Sequence, residues 1–134
     1  NSLPTSGKAF ISVKDDDKVK ILSLCENLIL LGFDIISTKG THDYLKKNNI
    51  SSQVVKKVKE GSGNIVDLMK NAEIDILINT TSTKKEILES FSIRRTALIK
   101  QVPYFTTIAG ATAAIDAIDY LKKGIIKVKP LQEY

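Results

Sequence analysis

Two short runs in this sequence bring together the residue types that hold an anion. The first is Ser37-Thr38-Lys39-Gly40-Thr41, at the end of the apolar stretch Phe33 to Ile36. The second is Asn79-Thr80-Thr81-Ser82, at the end of Ile74 to Ile78. A phosphate needs backbone N–H groups, hydroxyl donors and a cation or two. Thr38 and Thr41 offer hydroxyls around Gly40, whose missing side chain lets an anion approach the backbone. Thr81 and Ser82 offer the same at the second run. Lys18 and Lys57 are the cations placed to reach across. Asn79 ends a buried stretch, where a carboxamide must find partners: a base, a ribose hydroxyl or a neighbouring loop. Taken singly, each Ser, Thr or Asn reads more simply as a helix cap. Two such clusters with lysines nearby argue for a pocket, because ligands of α/β sheets bind beyond the carboxyl ends of the strands. Neither run carries a nucleophile or a metal cluster, so the chemistry suggested is holding rather than transforming.

These runs need elements to position them. Lys8 to Val13 reads as a buried first strand, and Asp15-Asp16-Asp17 as the N-cap and acidic first turn of a helix. Val19, Leu22, Cys25, Leu28 and Ile29 give that helix an apolar face, and Gly32 ends it. Phe33 to Ser37 is the second strand, followed by a short helix opening at Thr41 or His42 with Tyr44 and Leu45 apolar. Val54, Val55 and Val58 suggest a short third strand. Asn64 caps a helix bearing Ile65, Leu68 and Met69, and Ile74 to Ile78 is a fully buried fourth strand. Lys84 to Gln101 is mainly helical, broken near Ser90-Phe91-Ser92. Val102 to Phe105 is the last strand, with Pro103 placing it at an edge or a strand start. Gly110 to Lys123 forms the last helix, with Ala113, Ala114, Ala117, Ile118 and Leu121 facing in. Alternating strands and helices predict an α/β fold of three layers, with a five-stranded parallel sheet between helices.

Composition narrows the function classes. The 134 residues suit one domain. The net charge of +5 suits an anionic ligand or an acidic neighbour, but the lysines are scattered and the eight Tyr and Phe do not interleave with them, so nucleic acid is not indicated. The single cysteine, Cys25, allows no internal disulfide and fits a reducing cytoplasm. It lies on an apolar helix face, with His42 the only histidine, so it reads as core rather than as a nucleophile. No apolar run reaches the ~20 residues of a membrane-spanning helix. The chain begins at Asn1 rather than Met, and Asn1 to Gly7 is expected to be a linker or the edge of a piece of a longer protein. The domain is expected over 8–126, with a polar tail at 127–134. No GxGxxG follows the first strand and there is no P-loop, so neither dinucleotide nor P-loop chemistry is supported. Arg94 and Arg95 are adjacent on a helix and point about 100° apart, so one could face the site and the other a partner or solvent.

Taken together, these residues resemble the C-terminal allosteric domain of carbamoyl-phosphate synthetase large chains, within the methylglyoxal-synthase-like superfamily. The likeness runs from Lys8 to about Gly124. Its landmarks are Ser12-Val13 with Asp17-Lys18, Gly32-Phe33 leading to Thr38 and Gly40-Thr41, and Lys57-Val58 with Glu60-Gly61. Ile78-Asn79-Thr80-Thr81-Ser82, Ile93-Arg94-Arg95 and Tyr104 with Thr106-Thr107 complete the series. The resemblance implies a regulator of carbamoyl phosphate synthesis from glutamine, bicarbonate and ATP, serving the pyrimidine and arginine pathways. It implies binding of UMP as inhibitor and IMP as activator, in a pocket formed by Lys18, Thr38, Thr41, Lys57, Asn79 and Thr81. Thr38, Thr41 and the lysines would hold the phosphate, and Asn79 and Thr81 would lie toward the nucleoside. Tyr104 and Thr106 match an ornithine site at the border with a neighbouring domain. The resemblance implies no cofactor, metal or catalytic residue here. It implies a parent ligase using ATP with Mg or Mn and K, a glutaminase small subunit as partner, and a cytoplasmic setting. Lys39 and Thr83 depart from the family pattern, where a small residue or His and a glycine are common. With Glu89 and Ser92 they bear on the choice between UMP and IMP.

Two other readings stand beside it. A methylglyoxal-synthase-like lyase acting on dihydroxyacetone phosphate needs an aspartate base near Glu60 to Asp67. Asp67 is the candidate, but it falls inside the following helix. A purely structural interaction module would bind no nucleotide.

Overall fold

The computed structural model describes residues 3–132, with side chains as far as Gly124. Five strands form one parallel sheet: β1 (Gly7–Ser12), β2 (Phe33–Ser37), β3 (Gln53–Val54), β4 (Ile76–Asn79) and β5 (Tyr104–Phe105). Their order is β3-β2-β1-β4-β5, and every pairing is parallel. Six helices connect and cover them: α1 (Ile21–Leu30), α2 (Lys39–Lys47), α3 (Ile65–Lys70), α4 (Lys84–Glu89), α5 (Phe91–Lys100) and α6 (Ile108–Gln132). This is the expected three-layer α/β architecture.

Side chains of a strand alternate between its faces, and here both faces are buried. Ala9 and Ile11 of β1, Phe33 and Ile35 of β2, and Ile76 and Ile78 of β4 pack with Ile21, Leu24, Cys25 and Leu28 of α1 and Ala111, Ile115 and Ile118 of α6. Phe10, Ile36 and Leu77 turn the other way, onto Ile65, Val66 and Met69 of α3 and Ile93 and Ala97 of α5. The continuous apolar runs of the three central strands follow from this double burial.

The strand ends need particular residues. Gly7 has φ +124°, and a Cβ there would overlap the Asp75 carboxyl group, whose Oδ2 accepts the Lys8 N–H at 2.8 Å. Gly32, at φ +100°, follows α1 and turns the chain into β2 as expected. The break inside the Lys84–Gln101 segment falls at Ser90. Its Oγ donates to the Glu86 carbonyl at 2.9 Å, a bond back along the helix that bends it.

Several boundaries differ from expectation. Asp15–Lys20 is a 3-10 segment whose N-cap is Lys14, so the aspartates fill the first turn but do not cap it. Three residues per turn shift the helical phase, and the buried face of α1 becomes Ile21, Leu24, Cys25 and Leu28. Val19 and Ile29 are exposed. The third strand stops at Val54 because β2 offers no backbone beyond Ser37, and Val58 enters a 3-10 turn, Val58–Glu60. Ile74 precedes β4 and is buried beneath it. Val102 and Pro103 precede the two residues of β5, although the Pro103 carbonyl still accepts the Leu77 N–H at 2.9 Å. The last helix begins at Ile108 and its backbone continues to Gln132, through most of the expected tail; Glu133 and Tyr134 lie outside the described residues. Its inward residues are Ala111, Ala114, Ile115 and Ile118, while Ala113 and Leu121 are exposed. Of the expected linker, Asn1 and Ser2 lie outside the described residues, Leu3 packs against the core and Gly7 opens β1. Among the described residues no helix is long and apolar enough to cross a membrane.

Burial raises the Cys25 thiol to about 12, with the Glu26 carboxylate adding to it. The thiol is therefore protonated and shielded at neutral pH. Iodoacetamide at pH 8 is expected to leave Cys25 unmodified in the folded chain and to label it fully in guanidinium. Mass spectrometry showing rapid labelling of folded chain would contradict this.

Candidate functional site

The strand order reverses at β1, which has β2 on one side and β4 on the other. A crevice must open there, because the connections from β1 and β4 leave toward opposite faces of the sheet. A cleft of about 590 Å³ lies at this point, within the ~300–1,000 Å³ typical of small-molecule sites. Lys18, Thr38, Thr41, Lys57, Asn79 and Thr81, all six of the residues assigned to it from sequence, line it.

One end of the cleft is built around α2. That helix opens at Lys39 with Thr38 at its N-cap position, rather than at Thr41 or His42, yet the Thr38 hydroxyl makes no capping bond. It meets Ser12 Oγ at 2.9 Å instead. Thr41 Oγ1 accepts the Val13 N–H at 3.2 Å, fastening α2 to the end of β1. The first N–H groups of a helix have no partner within it and carry its positive dipole end. Lys18 Nζ lies over this end: a Cβ on Gly40 would stand 3.7 Å from it. An ion pair with Asp15 holds Lys18 there, its side chain only 19% exposed. Lys57 is exposed, on the loop after β3. The structure adds Ser12, Lys14 and Lys59 to the lining.

The opposite wall is α4 with the start of α5, through Glu86, Glu89, Ser90 and Ile93. Thr83 caps α4, accepting the Glu86 N–H at 3.1 Å. Glu86 Oε1 in turn accepts from Ser82 N–H at 2.9 Å, Ser82 Oγ at 2.8 Å and Thr83 N–H at 3.1 Å. Ser82 is thus withdrawn from the anion role expected of it, because an internal carboxylate already uses both its donors. The Ser82 backbone N–H, then its hydroxyl, hold the Glu86 carboxyl below the usual range. The spacing Thr83-x-x-Glu86 is a capping-box signature that could have found this. Glu89 pairs with Lys59 at 3.6 Å, joining α4 to the turn after β3.

Asn79, 6% exposed, forms the floor between the two ends. Its Nδ2 donates to Ser90 Oγ and to the Tyr104 hydroxyl, both at 3.0 Å. Thr80, within the same hydroxyl-rich run, is buried and accepts the Lys14 N–H at 3.0 Å. Tyr104 is half-buried and does not line the cleft, and Thr106 is exposed just beyond β5. Neither arginine of the Arg94-Arg95 pair faces the cleft. Both are exposed, and the Arg94 guanidinium lies 5.8 Å from the Tyr104 ring centre.

Of the carboxylates that line the cleft, Asp15 pairs with Lys18, Glu86 caps the start of α4 and Glu89 pairs with Lys59, while Asp16 also lies in the lining. Asp67 Oδ2 accepts the Gly63 and Asn64 N–H groups at 2.7 and 3.2 Å, which fixes it as part of the α3 cap. His42 Nδ1 meets Ser52 Oγ at 2.6 Å, but neither residue lines the cleft. No group of His, Cys, Asp and Glu among the described residues is arranged to hold a metal ion.

The sequence model of the MGS-like domain family matches residues 20–106. A carbamoyl phosphate synthase large chain of Myxococcus xanthus is 52% identical over 132 residues, covering 98% of this chain and 12% of that protein. The C-terminal section of the carbamoyl phosphate synthase large chain of Methanopyrus kandleri is 44% identical over 134 residues, covering 99% of this chain and 25% of that protein. The chain therefore spans only a small part of the relatives it matches. A methylglyoxal synthase from Elizabethkingia anophelis has a similar fold, with a TM-score of 0.62 at 15% identity over 84% of this chain and 79% of that one.

Because the folded-state pKa of Glu86 is depressed, its capping contribution is complete above the pKa of an unfolded-chain carboxylate. It disappears as pH falls through the lower folded value. The stability difference between the parent chain and Glu86→Gln, measured by urea unfolding, should be constant above about pH 5 and shrink in acid. A difference independent of pH would show that the carboxylate is not what caps α4.

Proposed function

The chain belongs to the MGS-like domain family, and from that premise we propose that it is a regulatory domain that binds a nucleoside monophosphate and performs no chemistry itself. One observation carries this reading. A single cleft joins the open N-terminus of α2, the Thr38 and Thr41 hydroxyls, Lys18 over Gly40 and the exposed Lys57, and the Asp15 carboxylate beside them is paired with Lys18. Hydroxyls, helix N–H groups and cations converging on one point suit a phosphate. The remaining volume suits a nucleoside.

The proposed ligands are UMP as inhibitor and IMP as activator, at overlapping positions. The proposed setting is a carbamoyl phosphate synthase large chain in the cytoplasm, where the rest of that chain and a glutaminase small subunit supply the synthesis. ATP with Mg or Mn and K would be used there, outside this domain. Ornithine would act at Tyr104 and Thr106, at the border with a neighbouring domain of the large chain. The lyase reading is disfavoured because Asp67, its required base, is spent on a helix cap and does not line the cleft.

Regulation follows if ligand and packing are linked. The wall made by Glu86, Glu89, Ser90 and Ile93 is the inner side of α4 and α5. Leu88, Phe91, Leu98 and Ile99 of the same helices are exposed. A ligand that repositions this wall changes what its outer side can pack against. It does so only by its differential affinity for the two arrangements, commonly ~1–3 kcal/mol. Two nucleotides can then share one cleft and act in opposite directions.

Calorimetry with UMP, IMP and uridine tests the reading. Either nucleotide should bind and uridine far less, since uridine lacks the anchoring phosphate. Failure of both nucleotides to bind would refute the nucleotide assignment. Lys57→Ala should weaken nucleotide binding roughly tenfold, the loss of one charge-assisted contact. Lys123→Ala, at an exposed position outside the cleft, should change little. Equal effects of the two substitutions would remove Lys57 from the site. Hydrogen exchange between Thr83 and Arg95 should slow or quicken on saturation with nucleotide, and unchanged exchange there would refute the link to packing.

A further inference from the structure

The floor of the cleft has a fixed polarity that the distribution of protons decides. A serine hydroxyl has one proton. Ser90 Oγ gives it to the Glu86 carbonyl at 2.9 Å. Toward Asn79 it can therefore only accept, so the carboxamide atom 3.0 Å away must be Nδ2. The second Nδ2 proton goes to the Tyr104 hydroxyl at 3.0 Å. Both donors of the amide are then spent. Oδ1 accepts no hydrogen bond among the described residues, and no side-chain polar atom there is sealed from solvent without a partner. Asn79 lines the cleft, so what it offers a ligand is an acceptor alone. Glu89, on the α4 wall, adds another acceptor. The Lys18 and hydroxyl end supplies donors for a phosphate, while the floor supplies the Asn79 acceptor, with Glu89 paired to Lys59 beside it at 3.6 Å.

We infer that Ser90 is a positioning residue that locks Asn79 as an acceptor-only reader, so that the cleft selects ligands presenting an O–H or N–H donor beyond their phosphate. This rests on the nucleoside monophosphate reading and deepens it. A ribose hydroxyl and the N–H of a pyrimidine or purine base share the required chemistry. A carbonyl oxygen or a methylated nitrogen at the same point would face the lone pairs of Oδ1. An asparagine free to turn over would accept either kind of group by exchanging its oxygen and nitrogen. The bond from Ser90 to Glu86, at the break between α4 and α5, removes that freedom.

The experiment uses the whole 134-residue chain. Affinities are measured for UMP, its 2′-deoxy, 3′-deoxy and 3-methyl analogues, and inorganic phosphate. In the unaltered chain the analogue lacking the donor that meets Asn79 should bind roughly five- to tenfold more weakly than UMP. Which analogue suffers identifies a ribose hydroxyl or the base N–H as that donor. Ser90→Ala releases the carboxamide, and the ratio should fall to about twofold or less. Ser90→Thr keeps a γ-hydroxyl and should restore it. Inorganic phosphate should bind all three chains alike. If Ser90→Ala does not fold, Tyr104→Phe, which removes the acceptor of the second Nδ2 proton, must show the same loss of discrimination.

Unaltered chain that binds every analogue as well as UMP would overturn the inference. So would a Ser90→Ala chain that keeps the original ratios, or a Tyr104→Phe chain that keeps them where the first variant does not fold. These failures leave the nucleotide reading standing, because UMP still binds. If inorganic phosphate binds and neither UMP nor IMP does, the nucleotide reading itself fails and takes this inference with it.

Discussion

Everything in this domain depends on β1 being hemmed in on four sides. β2 and β4 pair with its two edges, and helices cover its two faces. The part of a parallel strand enclosed in this way must be apolar, and Ala9-Phe10-Ile11 is. It must also end where the chain can reach water again. That exit is the cleft, because the connections on either side of β1 diverge there. The core and the cleft are thus two consequences of one strand position. Ser12, the last residue of β1, marks the change. Its neighbours toward the interior are buried carbon, and its hydroxyl meets Thr38 at the mouth of the site.

The polar groups at this exit divide into those consumed by the fold and those left over. Thr41 Oγ1, Thr80 Oγ1, Asp67 and Glu86 each satisfy backbone N–H groups that would otherwise lack partners. Such bonds contribute modestly when made and cost more when one partner is lost. What they achieve is positioning. Thr41 fixes the start of α2 against β1, and Thr80 fixes the end of β4 against the chain leaving β1. Those that remain to meet a ligand include the open end of α2, the hydroxyl protons of Thr41 and Thr81, the ammonium of Lys18 above Gly40 beside its exposed partner Asp15, Lys57, and one oxygen of Asn79. Such a cleft is preorganised, since its elements are held by the fold itself.

Much of this was legible in the sequence, and the reasons differ by element. β1, β2 and β4 announced themselves as apolar runs because both their faces are buried. Gly32 and Asn64 marked a helix end and a helix start through conformational preferences that act locally. All six residues assigned to the nucleotide pocket line the cleft, because strand ends in a parallel sheet converge whatever the intervening loops do. The inward faces of α1 and α6 were harder. A 3-10 turn ahead of α1 changed the phase by which Val19 and Ile29 had been counted inward. A run rich in alanine in α6 left several faces equally plausible. Lys59 and Ser90 carry no sequence signal for their places in the lining, since each depends on how a loop and a broken helix meet across the cleft. Glu86 did carry one, in its spacing from Thr83.

At the far end of the sheet from the site, Gly7 and the Asp75 carboxyl group occupy what would be the same space if position 7 had a side chain. The Asp75 carboxylate also takes the Lys8 N–H, tying the beginnings of β1 and β4 together. The two positions therefore cannot drift independently through evolutionary time. A lineage that keeps the aspartate carboxylate in this orientation has no room for a side chain at position 7. One that acquires a side chain there must first have lost, or moved, the carboxylate.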